Sequence, residues 1–151
     1  MAFKQRILVL LVLVAVAVFS YVLYGIVTYR SSLIANISIG GSEYYAYLAL
    51  TPEQQTKGLM NVTSIGDCYG HGNCIGMLFI FQNSSNLCFW MKDTIISLKQ
   101  YWIKNGTITQ IAIGAPYSTN VTCYHGDMVL ETNASSNFNI GEKLLVNRLI
   151  S

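Results

Sequence analysis

The stretch LKQYWIKNGTITQIAIG, residues 98–114, carries the clearest structural instruction in the chain. Asn105-Gly106 is a dipeptide that tolerates positive φ at both central positions of a two-residue turn. On either side lie β-branched and aromatic residues, so Leu98–Lys104 and Thr107–Gly114 are expected to form an antiparallel hairpin. Working outward, alternating or β-branched runs bounded by Gly, Asn and Asp recur at Leu33–Ile39, Tyr44–Leu50, Met77–Gln82, Cys88–Met91, Met128–Thr132 and Lys143–Leu149. One helix start interrupts them. Thr51 suits the N-cap, Pro52 the first helical position and Gln54 the return partner of a capping box, which predicts a short helix to about Leu59. The roughly 120 residues involved make one domain of ordinary size, mainly antiparallel β in an α+β class.

The N-terminus reads differently. From Ile7 to Thr28 run 22 residues without a charge, between Lys4/Arg6 and Arg30. At about 1.5 Å per residue, such a run as a helix crosses a hydrocarbon core of roughly 30 Å. Tyr21, Tyr24 and Tyr29 gather at its far end, where amphipathic rings favour the interface. The expected organisation is a cytoplasmic stub and transmembrane anchor over 1–30 and an extracytoplasmic domain over 31–151, the basic stub staying inside. The rival is a cleaved signal peptide ending at Ala15-Val16-Ala17, but the apolar run continues for eleven residues beyond it. Charge follows the same division. Of the net +2, the anchor flanks supply three cations, leaving Lys57, Lys92, Lys99, Lys104, Lys143 and Arg148 against all seven acids. A near-neutral domain without clustered cations excludes nucleic acid as a partner.

Asn-x-Ser/Thr triplets stand at Asn36, Asn61, Asn83, Asn105, Asn120 and Asn133, all after the anchor. Roughly two would arise by chance at this composition. They are read as glycosylation candidates, against the plain alternative of a turn-rich Asn/Ser/Thr composition. Cys68, Cys74, Cys88 and Cys123 lie in the same portion. Four cysteines allow three connectivities; the pairing favoured is Cys68 with Cys74 around the loop CYGHGNC, leaving Cys88 with Cys123 as a long-range staple. The competing use of Cys68, His71 and Cys74 is as soft ligands for copper or zinc, completed by Cys88, His125 or a Met. No spacing specifies that fourth ligand.

For binding, the segment Phe89-Trp90-Met91-Lys92-Asp93-Thr94 is the most informative. An apolar platform of Trp90 and Met91 beside polar Lys92, Asp93 and Thr94 is the make-up of a small-ligand pocket. The structural alternative puts Phe89 and Met91 in the core and Lys92 to Thr94 in a turn. Glu131 follows an apolar strand and is read either as a solvated strand end or as an ion-pair partner of Lys92 or Lys99. Met60, Met77 and Met91 read as core fillers. Catalysis requires a nucleophile, a base and an orienting group placed together. Neither a nucleophile elbow nor a metalloprotease helix is present, so no catalytic residue and no cofactor is assigned.

The strings TPEQQTKGLM (51–60), GMLFIF (76–81), FWMKDTII (89–96), a hairpin carrying NGTI, then VLET (129–132) and a late GEK step (141–143) resemble the uncharacterised DUF192 family, in family order from about Ile39 to Leu149. The resemblance implies a compact, barrel-like, mainly antiparallel α+β domain, often exported, with no established activity. Against the family pattern, Asn61 replaces an Arg, Asp93 an Asn, Ser97 a Pro and Lys99 an acid, and the loop between Met60 and Gly76 looks like an insertion. The expectation is therefore a membrane-anchored extracytoplasmic binding module for a small ligand, an envelope glycan or a membrane partner. A small exported enzyme using the FWMKDT region and a copper or zinc protein are the alternatives.

Overall fold

The computed structural model describes residues 11–21 and 33–150. Contacts divide the chain into two units, Met1–Ser32 and Leu33–Ser151. In the first, residues 11–21 are helical, with apolar side chains such as Leu11 and Phe19 exposed. Eleven helical residues span roughly 16 Å, about half a bilayer core. Accordingly, no helix among the described residues is long and apolar enough to cross a membrane. The rest of the expected anchor, Ile7–Leu10 and Val22–Thr28, lies outside the described residues.

The second unit is built on seven strands: β1 (Ile34–Ile39), β2 (Ser42–Ala49), β3 (Cys74–Phe89), β4 (Leu98–Lys104), β5 (Thr107–Gly114), β6 (Thr122–Asn133) and β7 (Leu144–Ile150), with one helix, α1 (Pro52–Lys57), between β2 and β3. They form one sheet in the order β5-β4-β6-β3-β2-β1-β7. All neighbours are antiparallel except β2 and β3, which run parallel because α1 and the segment 58–73 carry the chain back between them. The two outer strands then meet at one end. Leu144 N–H donates to Gly106 O at 2.8 Å, Ile108 N–H to Glu142 O at 2.9 Å and Gly141 N–H to Ile108 O at 2.8 Å. That stitching curls the sheet into a half-barrel and covers part of both edges.

Because side chains alternate across a strand, the central strands bury both of their faces. One face holds Ile37, Leu48, Leu78, Tyr101, Ile103 and Leu130 as the main core. Phe79, Trp102 and Val129, each one residue away from a member of that set, point the other way and pack with Ala49 and Leu87. Trp102 is fully buried and its indole N–H donates to Leu87 O at 2.8 Å, so the ring's one polar atom is satisfied.

Local elements follow their sequence signals closely. The hairpin has the expected bounds, with Asn105 at φ 51° and Gly106 at φ 71°, and the Asp127 carboxylate accepts the Asn105 N–H at 2.9 Å. The capping box at Thr51 is formed in both directions, and α1 ends at Lys57, two residues short of the expected limit, because Gly58 turns to φ 47°, ψ −133°. The expected strands Met77–Gln82 and Cys88–Met91 are a single strand, β3. Its pairing with β6 shifts register between Ile80 and Ser85, so the polar stretch Gln82–Ser84 interrupts the ladder without ending the strand. Seven strands thus replace eight.

Both disulfides form, Cys68 with Cys74 and Cys88 with Cys123. The second joins residues directly opposite each other on β3 and β6. Closing a loop of that separation removes roughly 3–4 kcal/mol of freedom from the unfolded chain. Gly76 shows how closely the same two strands approach: a Cβ there would lie 1.8 Å from the Glu131 carbonyl oxygen, at φ +153°. Gly76→Ala is expected to lower the free energy of unfolding by at least about 3 kcal/mol in denaturant titrations. Gly72→Ala, where nothing lies within 4 Å of the added atom, is expected to change it little.

Candidate functional site

The cavity that organises the site lies on the Trp102 face of the sheet and encloses about 510 Å³, within the range of small-ligand pockets. One wall is α1 and the turn after it, with Gln55, Thr56, Lys57 and Gly58. The opposite wall is the distal half of β3, whose Phe81, Leu87, Cys88 and Phe89 continue to Trp90. Phe79, Thr94 and Glu131 also line it, as does Met60, one of the methionines read from sequence as a core filler. The rings form an edge-to-face network: Phe89 lies 4.9 Å from Phe79, 6.4 Å from Phe81 and 5.9 Å from Trp102, centroid to centroid. Offset and edge-to-face contacts of this kind hold aromatic walls in fixed orientations.

Glu131 is the chemically distinctive member. On β6 it stands opposite Met77 of β3 on one side and Gln100 of β4 on the other. It is 4% exposed. Gln100 Nε2 donates to its Oε1 at 3.0 Å and also approaches the Met91 sulfur at 3.8 Å. Burial pushes the Glu131 carboxyl up to about 7, against the lowering effect of the Gln100 amide. Its other oxygen, Oε2, faces Gly58: a Cβ added there would lie 3.8 Å from Oε2 and 3.2 Å from Phe79 Cζ. Glycine at this positive φ turns the chain without strain and keeps a side chain out of the space beside the carboxyl.

Two tight turns brace the site. Asp93 adopts φ 55° in the turn closed by Thr94 N–H donating to Met91 O at 3.1 Å, and Asn61 adopts φ 60°. Asn61 N–H donates to Asp93 O at 2.9 Å, tying the segment after α1 to the segment after β3. Asn and Asp tolerate the left-handed region better than other non-glycine residues. Met91 is buried; its sulfur lies where a Cβ on Gly114 would be 2.3 Å away.

Of the residues singled out from sequence, Trp90, Thr94 and Glu131 line the cavity, whereas Met91 is buried with Leu59 and Leu98, and Lys92 and Asp93 do not line it. Lys92 is exposed, its Nζ 5.4 Å from the Trp90 ring centroid. The expected ion pair of Glu131 with Lys92 or Lys99 is not made, nor is Glu131 a solvated strand end. Lys99 Nζ instead donates to Ser136 O at 2.6 Å, because alternation along β4 turns it to the face opposite Gln100. Gln100, Gly58 and Phe81 were not singled out from sequence. The glycine in GLM and the regular alternation through Gln100 were their available signals.

Cys68 and Cys74 are bonded to each other and so present no thiolate to a metal, and His71 stacks on Tyr45 at 4.8 Å. Among the described residues no group of three or more His, Cys, Asp or Glu is placed to hold a metal ion. Asn61, Asn83, Asn105, Asn120 and Asn133 are exposed. Asn36 is not. It sits 8% exposed in β1, its Nδ2 donating to Glu43 and its Oδ1 accepting from Asn147 at 2.9 Å, and a glycan has no room there in the folded domain.

Fold and site together define a small β half-barrel with an aromatic cavity over a buried carboxyl. The DUF192 family, described as an uncharacterized ACR, matches residues 35–142, and the chain belongs to it. Two solved structures are similar, each with a TM-score of 0.64 and 26% identity. A protein of Sinorhizobium meliloti 1021 described as a candidate transcription regulator covers 76% of this chain and 92% of its own. A protein of unknown function from Novosphingobium aromaticivorans DSM 12444 covers 74% and 84%. No curated protein matches the chain.

A carboxyl at about 7 when folded, against 4.5 ordinarily, makes stability depend on pH. Between those values the folded state keeps a proton that the unfolded state has released, so stability falls as pH rises and levels off above 7. The loss attributable to Glu131 is on the order of 3 kcal/mol. Denaturant midpoints measured across this window are expected to fall in the wild type relative to Glu131→Gln, whose side chain does not titrate.

Proposed function

We propose that the chain is a membrane-anchored, extracytoplasmic, non-catalytic binding module whose ligand is a small molecule held in the aromatic cavity over Glu131. The observation that carries the binding reading is the cavity itself: of ligand size, walled by rings and holding a buried carboxyl. A carboxyl buried without an ion-pair partner weakens a fold, so its presence in the lining of a cavity favours a ligand role over a structural one. A binding role is further favoured over catalysis because the lining, among the described residues, brings together no histidine and no free thiol. Lys92 and Asp93, the pair an enzyme reading would use, stand outside it.

The location rests on other supports. The uncharged run Ile7–Thr28 has spanning length, its basic flank predicts a cytoplasmic N-terminus, and two disulfides suit an oxidising compartment. Exposed apolar side chains around the helical residues 11–21 fit a lipid environment better than water. The exposed triplets at Asn61, Asn83, Asn105, Asn120 and Asn133 remain the candidate glycan acceptors.

A ligand-observed fragment screen on the full chain in detergent is expected to find binders that quench tryptophan fluorescence through Trp90 and are lost in Thr56→Trp, which fills the cavity from its exposed rim. Fragments that bind equally well to the filled variant, or none at all, would reject the cavity as a ligand site. For location, protease added to intact cells is expected to digest the domain after Ser32 while leaving cytosolic markers whole; full protection would overturn the extracytoplasmic assignment.

A further inference from the structure

We infer that the ligand is an organic ammonium ion with an apolar body, its N–H groups donating to the Glu131 carboxylate and its body lying among Phe79, Phe81, Phe89 and Trp90. The inference rests on the reading of this cavity as a ligand site and adds the chemical class of the occupant. Its starting point is an imbalance: Glu131 is buried, and among the described residues no cation pairs with it. The residues that pairing and close approach bring to it carry no charge, nor do Trp90 and Thr94 of the segment after β3, which share the cavity. β4 presents Gln100, which occupies Oε1; β3 presents Met77 and Phe79; the turn after α1 presents Gly58, beside Oε2. Lys99 is held by Ser136 O on the other face, and Lys92 is held above Trp90. Lys57 is the other charged residue in the lining, and it is exposed on α1.

An anion entering this space would meet the carboxylate of Glu131, which repels it at short range in a poorly solvated site. A neutral apolar ligand would cover Oε2 without offering it a donor, and an acceptor covered in that way is unfavourable. A cation meets both requirements, because the walls are aromatic rings whose faces attract positive charge. The rim already does so, with Lys92 Nζ 5.4 Å from the Trp90 centroid. The raised pKa of Glu131, caused by burial, agrees with this, since a cation beside the carboxyl would favour its charged form.

The test uses the full chain in detergent at about pH 8, where the Glu131 carboxyl of about 7 is mostly ionised, with benzylammonium chloride and its neutral counterpart benzyl alcohol as probes followed by calorimetry. Benzylammonium is expected to bind at least about tenfold more tightly than the alcohol, the size of a hydrogen bond to a buried charge. Glu131→Gln should erase that preference while keeping the wild-type thermal midpoint or raising it. Phe81→Leu, on the half-buried wall, should weaken benzylammonium several-fold and the alcohol less. If the alcohol binds as tightly as the ammonium and both are lost in Thr56→Trp, the cavity remains a ligand site and the cationic class is overturned. If benzylammonium fails to bind the wild type, or binds Glu131→Gln equally, the inference also falls, whatever the fragment screen finds.

Discussion

The antiparallel pairing of β3 with β6 is the constraint from which the rest of the domain follows. Gly76 lets the two backbones approach so closely that no side chain fits between them, and Cys88–Cys123 clamps the same pair at its far end. With both ends fixed, the register shift at Ile80–Ser85 has to be absorbed inside β3. Beyond the shift, the strand carries Leu87, Cys88 and Phe89 into the cavity wall. The pleat then does the sorting: Leu78 and Leu130 enter the main core, and Phe79, Val129 and Glu131 emerge on the cavity face.

Stability and site chemistry pull against each other at Glu131. The hydrophobic environment that makes Phe79 and Trp102 stabilising removes water from the carboxyl beside them, and the single amide of Gln100 replaces only part of that hydration. A purely structural solution would place an apolar residue there. The half-barrel instead keeps an acid in the sheet and a glycine opposite it, and surrounds both with rings. Such local conflicts, tolerated because packing elsewhere compensates, are typical of functional positions.

Legibility in sequence divides along the range of the interactions. Asn105-Gly106 and its flanks gave correct hairpin bounds because turn chemistry is decided by adjacent residues, and the Thr51 cap was equally local. Strand number differs from the sequence reading at β3, where Gln82 to Ser84 have the composition of a turn but lie between two stretches that both pair with β6, so the strand continues through them. Of the six proposed ligand residues, Trp90, Thr94 and Glu131 share the cavity while Met91, Lys92 and Asp93 do not. Both the motif and a turn over Lys92–Thr94 were legible as competing readings, but that Thr94 would return to the cavity while Lys92 and Asp93 stay outside it was not.

Local chemistry written in the chain determined a β-rich domain with one capped helix, an Asn-Gly hairpin and cysteines close enough in pattern to suggest their own pairing. It could not determine the neighbourhood of Glu131. Met77, Gln100 and Glu131 are brought side by side only by the registers of three strands, and Gly58 is brought to the same carboxyl only by the end of α1. Whether an acid is a solvated strand end or a buried group near neutrality depends on how much water the surrounding fold removes. That is a property of the assembled sheet, since a pKa responds to its three-dimensional surroundings and not to its neighbours along the chain.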